Sequence, residues 1–104
     1  MDDRTLLRTA ADRLDALAAR TTAGDWRTGG LLATRPEVIA HRDVDGQVAT
    51  EHVAEARAGT AAWITALSPA VGPALAGWLR VAADAPMVEP AATAVARVLL
   101  DRLP

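Results

Sequence analysis

Val38-Ile39-Ala40-His41-Arg42-Asp43-Val44-Asp45-Gly46-Gln47-Val48-Ala49-Thr50-Glu51-His52-Val53 is the stretch whose reading decides the fold. Two extended-type runs, rich in valine and alternating in polarity, flank the pair Asp45-Gly46. A two-residue Asp-Gly connection suits a type I′ turn, whose central residues both need positive φ and whose twist matches that of the strands. The tightest register then opposes Val44 to Gln47, Ala40 to Glu51 and Ile39 to His52. One sheet face carries Ile39, His41, Asp43, Val48, Thr50 and His52; the other carries Val38, Ala40, Arg42, Val44, Ala49, Glu51 and Val53. The second face is expected to meet helices, with Arg42 and Glu51 as diagonal neighbours able to pair.

Upstream, Gly29-Gly30 marks a further turn between Trp26-Arg27-Thr28 and Leu31-Leu32-Ala33-Thr34. The sheet is therefore expected to have two to four antiparallel strands. Before it, Leu7, Ala10, Leu14, Leu17 and Thr21 recur at helical spacing, predicting a helix over residues 3–22. Asp2 or Asp3 would cap its start, and Gly24 would close it as a left-handed cap.

After the hairpin the helical period returns. Residues 54–67 have helical composition, with Gly59 delaying the helix until about Thr60. Ser68-Pro69 reads as a Ser cap followed by Pro at the first helical position, starting a helix to about Ala83. Glu89-Pro90 starts the last helix, which runs to Leu103. The fold class is α+β and mostly helical: an N-terminal helix, a small antiparallel sheet and three C-terminal helices in one domain, residues 1–104.

Half of the 104 residues are apolar (51%), which is enough for a core without disulfides or metal. The apolar material is small: 25 alanines and three tryptophans, with no Phe or Tyr. Leu, Val, Ile and the tryptophans must supply the volume, and two of Trp26, Trp63 and Trp78 are expected in the core. The absence of Lys and Asn beside abundant Ala and Arg is the codon bias of a GC-rich genome, so eleven arginines need no recognition role.

A net charge of −2, with both signs interspersed, argues against nucleic-acid binding. The longest apolar runs fall short of the roughly 18–20 residues that span a bilayer. The opening Met-Asp-Asp-Arg lacks the pattern of a signal peptide. A cytoplasmic protein is the expectation. With no cysteine and no lysine, thiol chemistry and a lysine-bearing phosphate loop are excluded, and the only serine, Ser68, is read as a helix cap. Asp12 and Asp15 read as part of a charged, solvated face. No enzyme activity and no cofactor are expected.

Two readings of function remain. From Pro69 to Ala83 the only charged residue is Arg80, and from Ala91 to Leu100 it is Arg97. Helices apolar nearly all round are buried on more than one side. Either the first helix and the sheet cover them, or a protein partner does, a second copy making a homodimer. Trp78, Leu79, Val95, Val98 and Leu99 are the candidate partner-binding residues. The alternative is a small-ligand or metal-binding domain using His41, Asp43 and His52 on one sheet face. The basic spot of Arg35, His41 and Arg42 reads as a solvated loop.

Two segments carry a resemblance. Thr22-Ala23-Gly24-Asp25-Trp26 follows the first helix, and Ala61-Ala62-Trp63-Ile64-Thr65-Ala66-Leu67-Ser68-Pro69 leads into Leu75-Ala76-Gly77-Trp78-Leu79. In this order they resemble segments of a family of small uncharacterised actinobacterial and actinophage proteins, similar to the Ead-type early proteins of temperate phages. Asp25, Thr60 and Trp63 stand where that pattern has Pro, Asn and Tyr. The resemblance implies a small accessory protein with an interaction role, and it supplies no catalytic residue.

Overall fold

The Asp45-Gly46 turn forms as its composition dictates, with φ of 53° and 80° at the two residues. The computed structural model describes residues 1–29 and 36–104. The fold is α+β and mostly helical, with the elements α1 (Asp3–Ala19), β1 (Asp25–Gly29), β2 (Glu37–Val44), β3 (Gln47–Glu55), α2 (Ala58–Ala66), α3 (Val71–Asp84) and α4 (Pro90–Arg102). They fall into two compact units, residues 22–69 and residues 1–21 with 70–104.

The unit of residues 22–69 is an antiparallel sheet of order β1-β2-β3 followed by α2. Val44 pairs with Gln47, Ala40 with Glu51 and Ile39 with His52, as the hairpin loop requires. Beyond Ile39 the register steps to Val38 opposite Ala54, leaving Val53 as the extra residue of a bulge. β1 adds to the other side of β2, setting Trp26 opposite Ala40. Val38 and Ala40 are buried, as is Ala61 of α2, which packs against β1 and β2. Among the described residues Arg42 and Glu51 form no ion pair. Both are exposed near the hairpin end, where water separates such charges at little cost. The expected strand Leu31–Thr34, the turn at Gly30 and the position of Arg35 lie outside the described residues.

Gly24 does have positive φ, but it is not the helix cap. α1 ends at Ala19, and Gly24 (φ +116°) leads into β1, where a Cβ would lie 2.7 Å from the His41 carbonyl oxygen. The glycine is required by a close backbone approach to β2. α2 begins at Ala58, so Gly59 sits in its first turn, where its cost is small.

The unit of residues 1–21 and 70–104 packs α1, α3 and α4. Its buried core is Leu7, Ala10 and Ala11 from α1, Ala76, Leu79 and Ala83 from α3, and Ala92 and Ala96 from α4. Six alanines among these eight residues let the helices approach closely, and Leu7 and Leu79 are the largest fully buried side chains of the cluster. At Gly72 a Cβ would lie 3.1 Å from the Ala18 methyl, so this glycine serves the contact between α1 and α3. The ends of α1 and α4 are set as their caps imply: the Asp2 carboxylate accepts from the Thr5 amide at 2.7 Å, and Pro90 occupies the first turn after Glu89.

Ser68 does not cap α3. The chain stays in turns through Ala70, and the helix starts at Val71 with no side-chain cap. Pro73 then falls in the first turn, where its missing N–H is no loss. Ser68 is buried in the turn that follows α2.

Candidate functional site

The hairpin places His41, Asp43 and His52 on one face and makes His41 and His52 diagonal neighbours, but it sets Asp43 away from His52. Asp43 opposes Val48, four residues along β3 from His52, a separation of about 13 Å at the strand rise. The His52 Nδ1 lies 3.1 Å from Glu37 Oε2, its diagonal neighbour across the bulged end of the sheet. Among the described residues no three His, Cys, Asp or Glu side chains are placed to hold a metal ion. The three-ligand site expected from the register is therefore not formed, because a shared face does not imply a shared position along the strands.

The tryptophans also differ from expectation. Trp26 is half-buried, its indole N–H donating to the Thr22 carbonyl at 3.0 Å. Trp63 on α2 is 68% exposed and Trp78 on α3 is 44% exposed. Two of the three thus lie on the surface rather than in the core, whose largest fully buried side chains are Leu7 and Leu79.

The five candidate partner-binding residues separate by the phase of their helices. Leu79 is fully buried in the core cluster and presents nothing to a partner. Val95 and Leu99 are half-buried against the same cluster. Only Trp78 and Val98 are exposed. Around Val98 the outer side of α4 also carries Arg97 and Asp101, so no continuous apolar surface forms there. α3 is different. Its exposed residues Ala74, Gly77, Trp78 and Val81 stand at i, i+3, i+4 and i+7, one above another along the helix. Val81 is 71% exposed.

Charges flank this face without entering it. The Arg80 guanidinium turns to α1, reaching Asp12 at 2.9 Å and Asp15 at 2.7 Å. These hydrogen bonds, to Asp12 first and then Asp15, raise the Arg80 pKa above its usual value. Asp84, at the end of α3, is held by Arg8 at 2.6 Å. The Arg4 guanidinium is likewise engaged, donating to the carbonyl of Ala83 in the last turn of α3 and to those of Ala85 and Pro86 just past it. A shallow cleft of about 350 Å³ beside it is lined by Asp2, Asp3, Arg4, Met87 and Val88. Its Asp2 is the cap of α1 and its Arg4 is the carbonyl clamp, so both are occupied by structural work.

No family model, curated protein or solved structure matches the chain. The α3 face is therefore read on its own chemistry. Among the described residues no single helix is long and apolar enough to cross a membrane. Sequence reasoning missed Ala74, Gly77 and Val81; the position of Arg80, one residue from Val81 and turned toward α1, is the signal that fixes the phase of the helix.

Proposed function

We propose that this protein is a non-enzymatic interaction module that holds a protein partner on the exposed side of α3. The observation that carries the reading is the run Ala74, Gly77, Trp78 and Val81, an exposed face without a charged side chain and centred on an indole. Contact centres between proteins are depleted in charge and enriched in Trp, and covering such a surface recovers roughly 25 cal/mol per Å². The accessory role implied by the resemblance to small phage early proteins points in the same direction.

Photocrosslinking tests it. A benzophenone amino acid placed at Val81 is expected to give a discrete protein adduct that is lost on Trp78→Ala. The same probe at Val48, equally exposed on the hairpin, is the control. Equal labelling from both positions, or none from Val81, removes α3 as the contact surface.

A further inference from the structure

We propose that the Asp45-Gly46 turn is a site of spontaneous covalent modification, at which Asp45 converts to isoaspartate through a cyclic imide. The site lies at the tip of the β2–β3 hairpin, in the unit of residues 22–69. Of the nine aspartates in the chain, Asp45 alone is followed by glycine. The imide forms when the backbone nitrogen of the next residue attacks the side-chain carboxyl carbon. A side chain on that next residue obstructs the approach, and glycine has none.

The fold leaves both reacting groups free. Asp45 and Gly46 are exposed, and among the described residues the Asp45 carboxyl makes no hydrogen bond or ion pair. The Gly46 amide donates to no backbone carbonyl among them, as befits the second central residue of a two-residue turn. A Cβ built on Gly46 meets nothing within 4 Å, so the space around it is open. Other aspartates differ at one or both points. Asp2, Asp12, Asp15, Asp25 and Asp84 each accept from a donor. Asp43 is also exposed, but it precedes the β-branched Val44, which the ladder holds opposite Gln47.

The conversion balances with water alone. The Gly46 nitrogen bonds to Asp45 Cγ, and its proton leaves with the carboxyl hydroxyl as water. Water then opens the ring at either carbonyl. Attack at Cγ restores aspartate; attack at the backbone carbonyl leaves the chain running through Cβ and Cγ, with a free α-carboxylate. Mass and charge are unchanged, but the backbone is one methylene longer. The closed turn, with φ of 53° and 80°, holds Asp45 in a conformation that ring closure must leave. The reaction therefore proceeds when the tip of the hairpin opens. Once formed, the longer link no longer fits the two-residue loop that sets Val44 opposite Gln47, and the pairs beside the turn are lost. Val38 and Ala40, buried farther along β2, are expected to keep their places.

Ageing the folded full chain for weeks at neutral pH and body temperature tests the proposal. The aged chain is labelled with a carboxyl methyltransferase that recognises isoaspartate, and the label is placed by peptide mapping. It is expected at residue 45, exceeding that at Asp43 by at least about tenfold. Gly46→Ala is expected to slow its appearance, because a methyl group then flanks the attacking nitrogen. The same chain aged in urea, with the turn absent, sets the upper limit; the folded rate is expected to lie below it and stay measurable. The separated isoaspartate form is expected to unfold at lower urea concentration than fresh protein and to exchange its Gln47 amide faster. Label at Asp45 in urea but none in the folded chain overturns the proposal, because the turn then shields the site. Equal label at Asp43 overturns it as well. An isoaspartate form with an unmoved urea midpoint and unchanged Gln47 exchange overturns the loss of register.

Discussion

Arg80 and Asp12 are joined at 2.9 Å from the middle of α3 to α1, and Asp15, one turn along α1, takes the other guanidinium nitrogen at 2.7 Å. One arginine thus bridges two carboxylates across the helix pair that holds the core. All three side chains reach solvent, so the attraction is screened by water and by salt. Arg80→Gln is expected to lower the melting temperature slightly in dilute buffer, and the difference is expected to shrink toward zero in molar salt. Paired thermal melts at two ionic strengths check this; a loss independent of salt indicates that packing of the arginine stem, not charge, carries the effect.

The cap of α1 makes a pH-dependent contribution. The Asp2 pKa is lowered below 3.8, chiefly by hydrogen bonding from the Thr5 backbone amide. A carboxyl group whose folded pKa is depressed contributes stability above its unfolded value, and that contribution is lost as pH falls through the folded value. Stability is therefore expected to drop below about pH 4 by more in the natural sequence than in Asp2→Asn, which keeps a capping oxygen but does not titrate there. Denaturation midpoints from pH 2.5 to 7 distinguish them, and identical profiles refute the assignment.

The hairpin and its register were readable because Asp45-Gly46 is a local instruction: the turn type, the twist and the pairing all follow from two adjacent residues. The same holds for Asp2 and Pro90, each of which meets its helix within one turn. Ser68-Pro69 gave an equally local signal and misled, because Pro73 fits the first turn of a helix that starts two residues later. The candidate site was harder to read. Trp78 and Leu79 are neighbours on a helix apolar on both sides, so hydrophobic period alone does not say which of them faces inward. Only partners distant in sequence, Asp12 and Asp15 for Arg80 and Ala18 for Gly72, fix the rotation.

Two glycines with positive φ are expected to respond differently to alanine. Gly46 has open space where a Cβ would go, so Gly46→Ala adds backbone strain alone, about 1 kcal/mol. Gly24→Ala adds a clash with the His41 carbonyl to the strain, and the sheet must shift to relieve it. Its cost is expected to exceed that of Gly46→Ala, reaching about 2–3 kcal/mol. Urea titrations of both variants test the order; equal losses contradict the close approach of the two backbones.

Thr93 offers a stabilising change. Its residue is 6% exposed on α4, and its hydroxyl is buried with no hydrogen-bond partner among the described residues. Burying such a hydroxyl unpaired costs about 1–3 kcal/mol, and valine has nearly the same shape without the polar atom. Thr93→Val is expected to raise the melting temperature. A lowered one indicates that the hydroxyl is satisfied, by water or by a rotated side chain.

Substitutions at Trp78 and Leu79 separate folding from binding, because successive residues of a helix point about 100° apart and here the first is exposed while the second is buried. Leu79 is fully buried against Leu7 and the alanine core, so Leu79→Ala removes scarce volume from a core that has little to spare. The expected loss is about 2–5 kcal/mol, toward the upper end because neighbouring alanines have no side chain to swing into the cavity. Trp78 is partly exposed, and Trp78→Ala is expected to cost far less in chemical denaturation of the monomer while removing the interaction surface of α3. Leu79→Asp therefore reports unfolding and says nothing about a partner. The informative result is the crossed pair: Trp78→Ala folded but unable to associate, and Leu79→Ala destabilised but, at low temperature where it remains folded, still able to associate. If Trp78→Ala unfolds the chain as readily as Leu79→Ala does, the indole belongs to the core and the outer side of α3 loses its role.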